Sequence, residues 1–109
     1  MMQIAAVDAV LRALADPTRR AVFERLARSD ELNVAALTRA SGVTQGAVSQ
    51  HLKLLKHAGL VVERPQGRNV FYCARPDGLS PLFDWLVHYD SFWRDRFADL
   101  RGLLKEIDP

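Results

Sequence analysis

The sequence is poor in the residues that build chemical sites. A single cysteine, Cys73, excludes an internal disulfide. No glycine-rich phosphate loop, nucleophile elbow or metal-ligand cluster is present, which sets the common enzyme classes aside. No apolar run approaches the roughly 20 residues of a membrane span, so no membrane partner is expected. The first twenty residues carry Asp8 and Arg12 inside their apolar pattern and lack the basic start of a signal peptide. A cytoplasmic location is therefore the expectation. There is no internal repeat and no low-complexity segment.

What remains is an ordinary globular balance: 109 residues, 49% hydrophobic and 26% charged, read as one domain over residues 1–109. The net charge of +2 says little, but its distribution says more. Residues 44–75 carry Lys53, Lys56, Arg64, Arg68 and Arg75 against Glu63 alone, whereas residues 77–109 carry an acidic excess. A basic middle on a near-neutral domain is the footprint of a phosphate-binding face, though a merely solvated basic surface has the same charge pattern.

Ile4, Val7, Val10, Leu11 and Leu14 recur at helical spacing and predict a first helix. Asp16-Pro17 reads as an N-cap with proline at the first helical position of a second helix, running to about Ser29 with Ala21, Val22, Phe23 and Leu26 inward. Asn33 caps a short third helix, Val34 to Ser41, burying Val34, Leu37 and Ala40, and Gly42 ends it. Thr44 caps a fourth helix lasting to Ala58, with Gly59 as its stop and Val48, Leu52 and Leu55 inward. Leu60–Arg64 and Asn69–Ala74, separated by Pro65-Gln66-Gly67-Arg68, read as a β-hairpin. Ser80-Pro81 opens a fifth and last helix reaching about Ile107, whose apolar stripe includes Trp85, Tyr89, Phe92, Trp93, Phe97 and Leu100.

The fold class expected is therefore mainly α with a small β-hairpin. It has five helices, a helix-turn-helix at 34–58, a wing at 60–75, and outer helices at 1–15 and 80–107. In a helix-turn-helix the second helix enters the major groove of double-stranded DNA. Opposite its apolar stripe lie Gln45, Gly46, Ser49, Gln50, Lys53, Lys56 and His57, with His51 at the boundary. Gln45 and Gln50 suit an adenine edge, Ser49 a base or a phosphate, and Gly46 a close approach of backbone. Thr44, Lys53 and Lys56 suit phosphates, and Arg64, Gln66 and Arg68 of the hairpin suit the neighbouring backbone or minor groove.

Three stretches carry a resemblance. Ala13-Leu14-Ala15-Asp16-Pro17-Thr18-Arg19-Arg20, then Ala47-Val48-Ser49-Gln50-His51-Leu52-Lys53-Leu54-Leu55-Lys56-His57-Ala58-Gly59-Leu60-Val61, then Gly67-Arg68-Asn69-Val70-Phe71-Tyr72. Together they closely resemble the ArsR family of winged helix-turn-helix repressors, over residues 5 to 105. The resemblance implies a homodimer, an operator with imperfect dyad symmetry, and often repression of the protein's own promoter. It also supplies a partner for the long aromatic stripe, whose exposure would be costly. The dimer contacts expected are Val7, Val10 and Leu11 of the first helix, and Tyr89, Phe92, Trp93, Phe97 and Leu100 of the last.

The resemblance is to a subgroup without the metal-binding cysteine pair. Where the best-known sensors of the family carry two cysteines one residue apart, this chain reads Glu31-Leu32-Asn33-Val34-Ala35. A second family site uses Asp and His pairs of the last helix. Asp84 and His88 share a helix face, but the further histidine is missing. They read as an exposed pair, and Cys73 as a strand-packed structural thiol. No cofactor or metal is expected, and no small-molecule effector is nominated. The rival readings are a winged-helix module that contacts protein and a metal- or thiol-responsive repressor.

Overall fold

A computed structural model describes residues 4–107. Helix α1 (Ile4–Ala15) leads into α2 (Pro17–Ala27), a two-residue strand β1 (Leu32–Asn33), α3 (Val34–Ser41) and α4 (Gln45–His57). The hairpin β2 (Val61–Gln66) and β3 (Asn69–Ala74) follows, then a 3-10 turn at Pro76–Leu79, α5 (Ser80–Val87) and α6 (Asp90–Ile107). Residues 1–3 of the expected first dimerisation segment lie outside the described range.

The helix boundaries follow from capping. The Arg19 N–H donates to Asp16 Oδ2 at 2.8 Å, the Ala36 N–H to Asn33 Oδ1 at 2.9 Å and the Ala47 N–H to Thr44 Oγ1 at 3.1 Å. Each satisfies an amide that the first helical turn leaves without a partner. At the end of α4, Gly59 takes φ +79°, and the amides of Gly59 and Leu60 donate to the carbonyls of Lys56 and Leu55. That pair of bonds closes the helix and turns Leu60 into the core, where it is fully buried.

The α1–α2 corner is fastened by two arginines. Arg19 donates to the Ala13 and Arg12 carbonyls at 2.6 and 2.8 Å, and Arg20 to the Leu14 carbonyl at 2.8 Å. They close the C-terminal end of α1, where carbonyls lack helical partners and positive charge is favoured.

The core is the meeting of α2, α3, α4 and the base of the wing, with Val22, Phe23, Leu26, Leu37, Val48, Leu52, Leu55, Leu60 and Val61 buried. The stripe Val48, Leu52 and Leu55 of α4 lies inward as its spacing requires. Two alanines depart from expectation: Ala21 and Ala40 are exposed, because the inward faces of α2 and α3 are already filled by Val22, Phe23, Leu26 and Leu37. Val34 is half-buried.

The sheet is antiparallel with strand order β1-β3-β2. Leu32 pairs with Tyr72 and Asn33 with Phe71, forming a third strand that the sequence does not predict. Two residues are too few for an alternation pattern to register. The hairpin turn is also tighter than expected. Pro65 and Gln66 belong to β2, and the turn is Gly67-Arg68, with Gln66 opposite Asn69. Proline is admissible there because β2 is an edge strand and its outer amides have no partner to lose. Gly67 has φ +62° while Arg68 does not take positive φ, the requirement of a two-residue turn with glycine first.

The expected last helix is two helices, giving six α-helices among the described residues. The amides of His88 and Tyr89 donate to the Trp85 and Leu86 carbonyls, tightening the chain by one residue, and α6 restarts with the Trp93 N–H on the Tyr89 carbonyl. Asp90 sits in the first turn of α6, ion-paired with Arg94 one turn on, which favours a helix start at that point. The apolar periodicity runs on across the break, so it gives no warning of it.

Helix α5 packs on α1, but α6 packs substantially on no other element, and Asp90–Ile107 is exposed along its whole length. The radius of gyration is 17.5 Å, against roughly 13 Å for a compact chain of this size. The helix stands off the body.

Candidate nucleic-acid interface

Helix α3, the turn through Gly42 and Val43, and α4 form the helix-turn-helix, with Gly42 at φ +73° reversing the chain. Because Val48, Leu52 and Leu55 anchor one side of α4, the other side is presented outward. Thr44, Gln45, Gly46, Ser49, Gln50, Lys53, Lys56 and His57 are all exposed. An added Cβ at Gly46 meets nothing within 4 Å, so the helix backbone is open to close approach at that point.

His51 is placed differently from its neighbours. It is half-buried, and its Nδ1 is enclosed without a hydrogen-bond partner among the described residues. Asp16's carboxyl is held below the usual carboxylate range, chiefly by the Arg19 backbone N–H and in smaller part by the nearby His51. His51 therefore stands apart from the outward group on α4.

The hairpin divides its basic residues between two tasks. Arg68 at the tip is exposed and forms no ion pair among the described residues. Arg64 is engaged: its Nε and Nη2 donate to the two carboxylate oxygens of Glu31 at 2.7 Å each, and Nη2 reaches Gln66 Oε1 at 3.1 Å. Its guanidinium also lies 5.4 Å from the centre of the Phe71 ring. The hydrogen bond from Arg64 holds Glu31's carboxyl below its ordinary range, and the same bond raises Arg64's own pKa. Lys56 on α4 is ion-paired with Glu63 of β2. Neither Glu31 nor Glu63 was legible as a partner, since both pairings arise only when β1 and the wing are folded beside α4.

The expected dimer residues also divide. Val7 and Val10 are 4% and 1% exposed, buried within their own chain, so of the α1 group only Leu11 presents surface. The physical reason is that both α2 and α5 pack on α1 within the chain. Tyr89, Phe92, Trp93, Phe97 and Leu100 are exposed, with Trp93 packed between Phe92 and Phe97 at ring-centre distances of 5.2 and 6.2 Å. Leu103, Leu104 and Ile107 extend the same apolar surface.

Cys73 is half-buried in β3 with its thiol near the Ala74 carbonyl. Asp84 and His88 are both exposed, and α5 ends at Val87, one residue short of His88. No cluster of three or more metal-ligating side chains occurs among the described residues, and no helix among them is long and apolar enough to cross a membrane.

Comparison with known proteins places this architecture. Residues 14–64 match a helix-turn-helix domain family. The chain is 49% identical over 86 residues to the HTH-type transcriptional regulator Rv2034 of Mycobacterium tuberculosis, covering 79% of this chain and 77% of that protein. It is 37% identical over 100 residues to the arsenical resistance operon repressor of Escherichia coli, covering 90% of this chain and 81% of the relative. Among solved structures, an ArsR-like transcriptional regulator from Rhodococcus sp. RHA1 superposes with a TM-score of 0.72 at 27% identity, over 91% of this chain and 92% of that one. The homodimeric winged helix-turn-helix DNA-binding domain of Mb0332 from Mycobacterium bovis superposes with a TM-score of 0.65 at 28% identity, over 81% of each chain. The chain belongs to the ArsR family of winged helix-turn-helix transcriptional regulators.

Proposed function

We propose that this regulator is a homodimeric repressor that binds a DNA operator of imperfect dyad symmetry in the cytoplasm, as a binding protein without catalysis. The observation that carries this reading is the outward polar face of α4, Gln45, Gly46, Ser49, Gln50 and Lys53, set against a fully buried Val48–Leu52–Leu55 stripe. A rigid helix with amides and hydroxyls on its free side reads base edges. Gln45, Ser49 and Gln50 take that role, while Thr44, Lys53 and the tip residue Arg68 take phosphates. Lys56, Arg64 and Gln66 complete the surface with their heads partly engaged by Glu63, Glu31 and each other. Leu11 and the aromatic face of α6 pair with a second copy, bringing two α4 helices to successive major grooves about 34 Å apart.

A binding titration on the protein's own upstream DNA and on a scrambled duplex, at two salt concentrations, tests this. Preference for the upstream DNA, weakening steeply with salt and lost in a Ser49→Ala/Gln50→Ala variant that keeps its fold, is the expected result. Weak binding to both duplexes, indifferent to salt, would favour a protein-contacting module instead.

A further inference from the structure

Ala21 on α2 and Ala40 on α3 belong to the apolar pattern of their helices, yet the core does not absorb them. With Val43 they floor a groove of about 380 Å³ between α2 and the helix-turn-helix, above the buried Val22 and Leu37. A volume of this size falls in the range of small-molecule sites, roughly 300–1,000 Å³. Because both floor residues are alanines, no long side chain fills the trough.

The rim is basic. Arg25 in the last turn of α2 and Arg28, the residue that caps its C-terminal end, both border the groove, with Ser41 on the α3 side. No acidic residue lines it. Several arginines elsewhere in the fold are engaged: Arg19 and Arg20 hold the end of α1, and Arg64, Arg75 and Arg94 are ion-paired. Arg25 and Arg28 form no ion pair among the described residues. Two guanidiniums beside an apolar trough complement an anion that brings its own apolar body, and a planar guanidinium matches a carboxylate with two parallel hydrogen bonds.

We propose that the α2–α3 groove is a binding site for a small organic carboxylate with an apolar body. The groove ends on Ser41 and Val43, which flank the turn that sets α4 relative to α3. An occupant wedged there bears on the orientation of α4, and a ligand that prefers one orientation shifts the population towards it. The site goes beyond the regulator reading, and its occupancy is measurable without DNA.

The test is an amide NMR titration of the full chain with octanoate, and separately with octanol, which keeps the apolar body and removes the charge. Octanoate is expected to shift the amides of Ala21, Ala40, Ser41 and Val43 saturably at millimolar concentration, with octanol weaker by about tenfold or more. Arg25→Gln/Arg28→Gln should weaken octanoate by a similar factor and leave octanol unchanged, and Ala40→Leu should abolish both by filling the trough. Equal affinity for the two probes, shifts confined to the apolar face around Trp93 and Phe97, or no saturable shift would overturn the assignment. So would a fall in the salt dependence of operator binding in Arg25→Gln/Arg28→Gln, since that gives the two arginines to the DNA backbone. Because the probes are titrated without DNA, failure here and failure of operator binding are separate results.

Discussion

Arg64 on the outer strand of the wing holds both carboxylate oxygens of Glu31, a residue 33 positions earlier that immediately precedes β1. The bridge ties the wing to the segment leading into α3, across the sheet from β2 to β1. A guanidinium already forked onto a carboxylate is less available to phosphate than one in open solvent.

The two wing arginines should therefore separate in their salt dependence. Arg68→Ala removes an exposed guanidinium proposed to meet phosphate and should reduce the slope of log affinity against log salt by about 0.9. Arg64→Ala should weaken operator binding through a loosened wing while leaving that slope close to the parent value. A slope that falls equally in both variants would make Arg64 a direct phosphate contact.

The same bridge has a pH signature. Glu31's folded pKa is lowered by its hydrogen bond with Arg64. A depressed carboxylate adds stability that is fully present above its ordinary value and is lost as the pH falls through the depressed one. Melting temperatures of the parent should drop more steeply than those of Glu31→Gln as the pH falls from the ordinary glutamate range into stronger acid. The difference is small, because the pair is exposed. Parallel curves would mean that the bridge does not persist in solution.

Gly78 is fixed by contact. A Cβ added there would collide with the Gly59 carbonyl oxygen, where the turn closing α4 abuts the turn after the wing. Since the obstacle is backbone, Gly78→Ala should cost about 1–3 kcal/mol in denaturant unfolding, the range of overpacked sites. A variant as stable as the parent would show that the two turns do not touch.

Helix α6 should matter to assembly and little to the fold of the body. Phe97→Glu places a charge on the exposed aromatic face and should give a monomer by sedimentation, with the thermal transition of the body kept and operator affinity lost. Val10→Glu, at a position 1% exposed, should instead unfold the chain. A Phe97→Glu dimer would move the interface elsewhere.

Capping and periodicity carried most of the fold in legible form. Asp16, Asn33 and Thr44 cap α2, α3 and α4, and the 4-and-3 spacing of Val48, Leu52 and Leu55 fixed which side of α4 faces out. These are local effects: a side-chain oxygen reaching an amide three residues on, and a helical repeat that sorts apolar from polar. The outward polar group on α4 and the apolar face of α6 follow directly from that sorting.

Tertiary structure decided what depends on elements meeting. Strand β1 exists because β3 offers it an edge, and Ala21 and Ala40 line a groove because their larger neighbours already fill the core. Val7 and Val10 are buried because α2 and α5 both pack on α1. His51 is half-buried, and Lys56 and Arg64 find acids, because other elements close beside α4 and the wing. The sequence alone determined which faces are apolar and where α2, α3 and α4 begin; which of those faces stay exposed was set by packing, since burial and ion pairing join residues far apart in the chain.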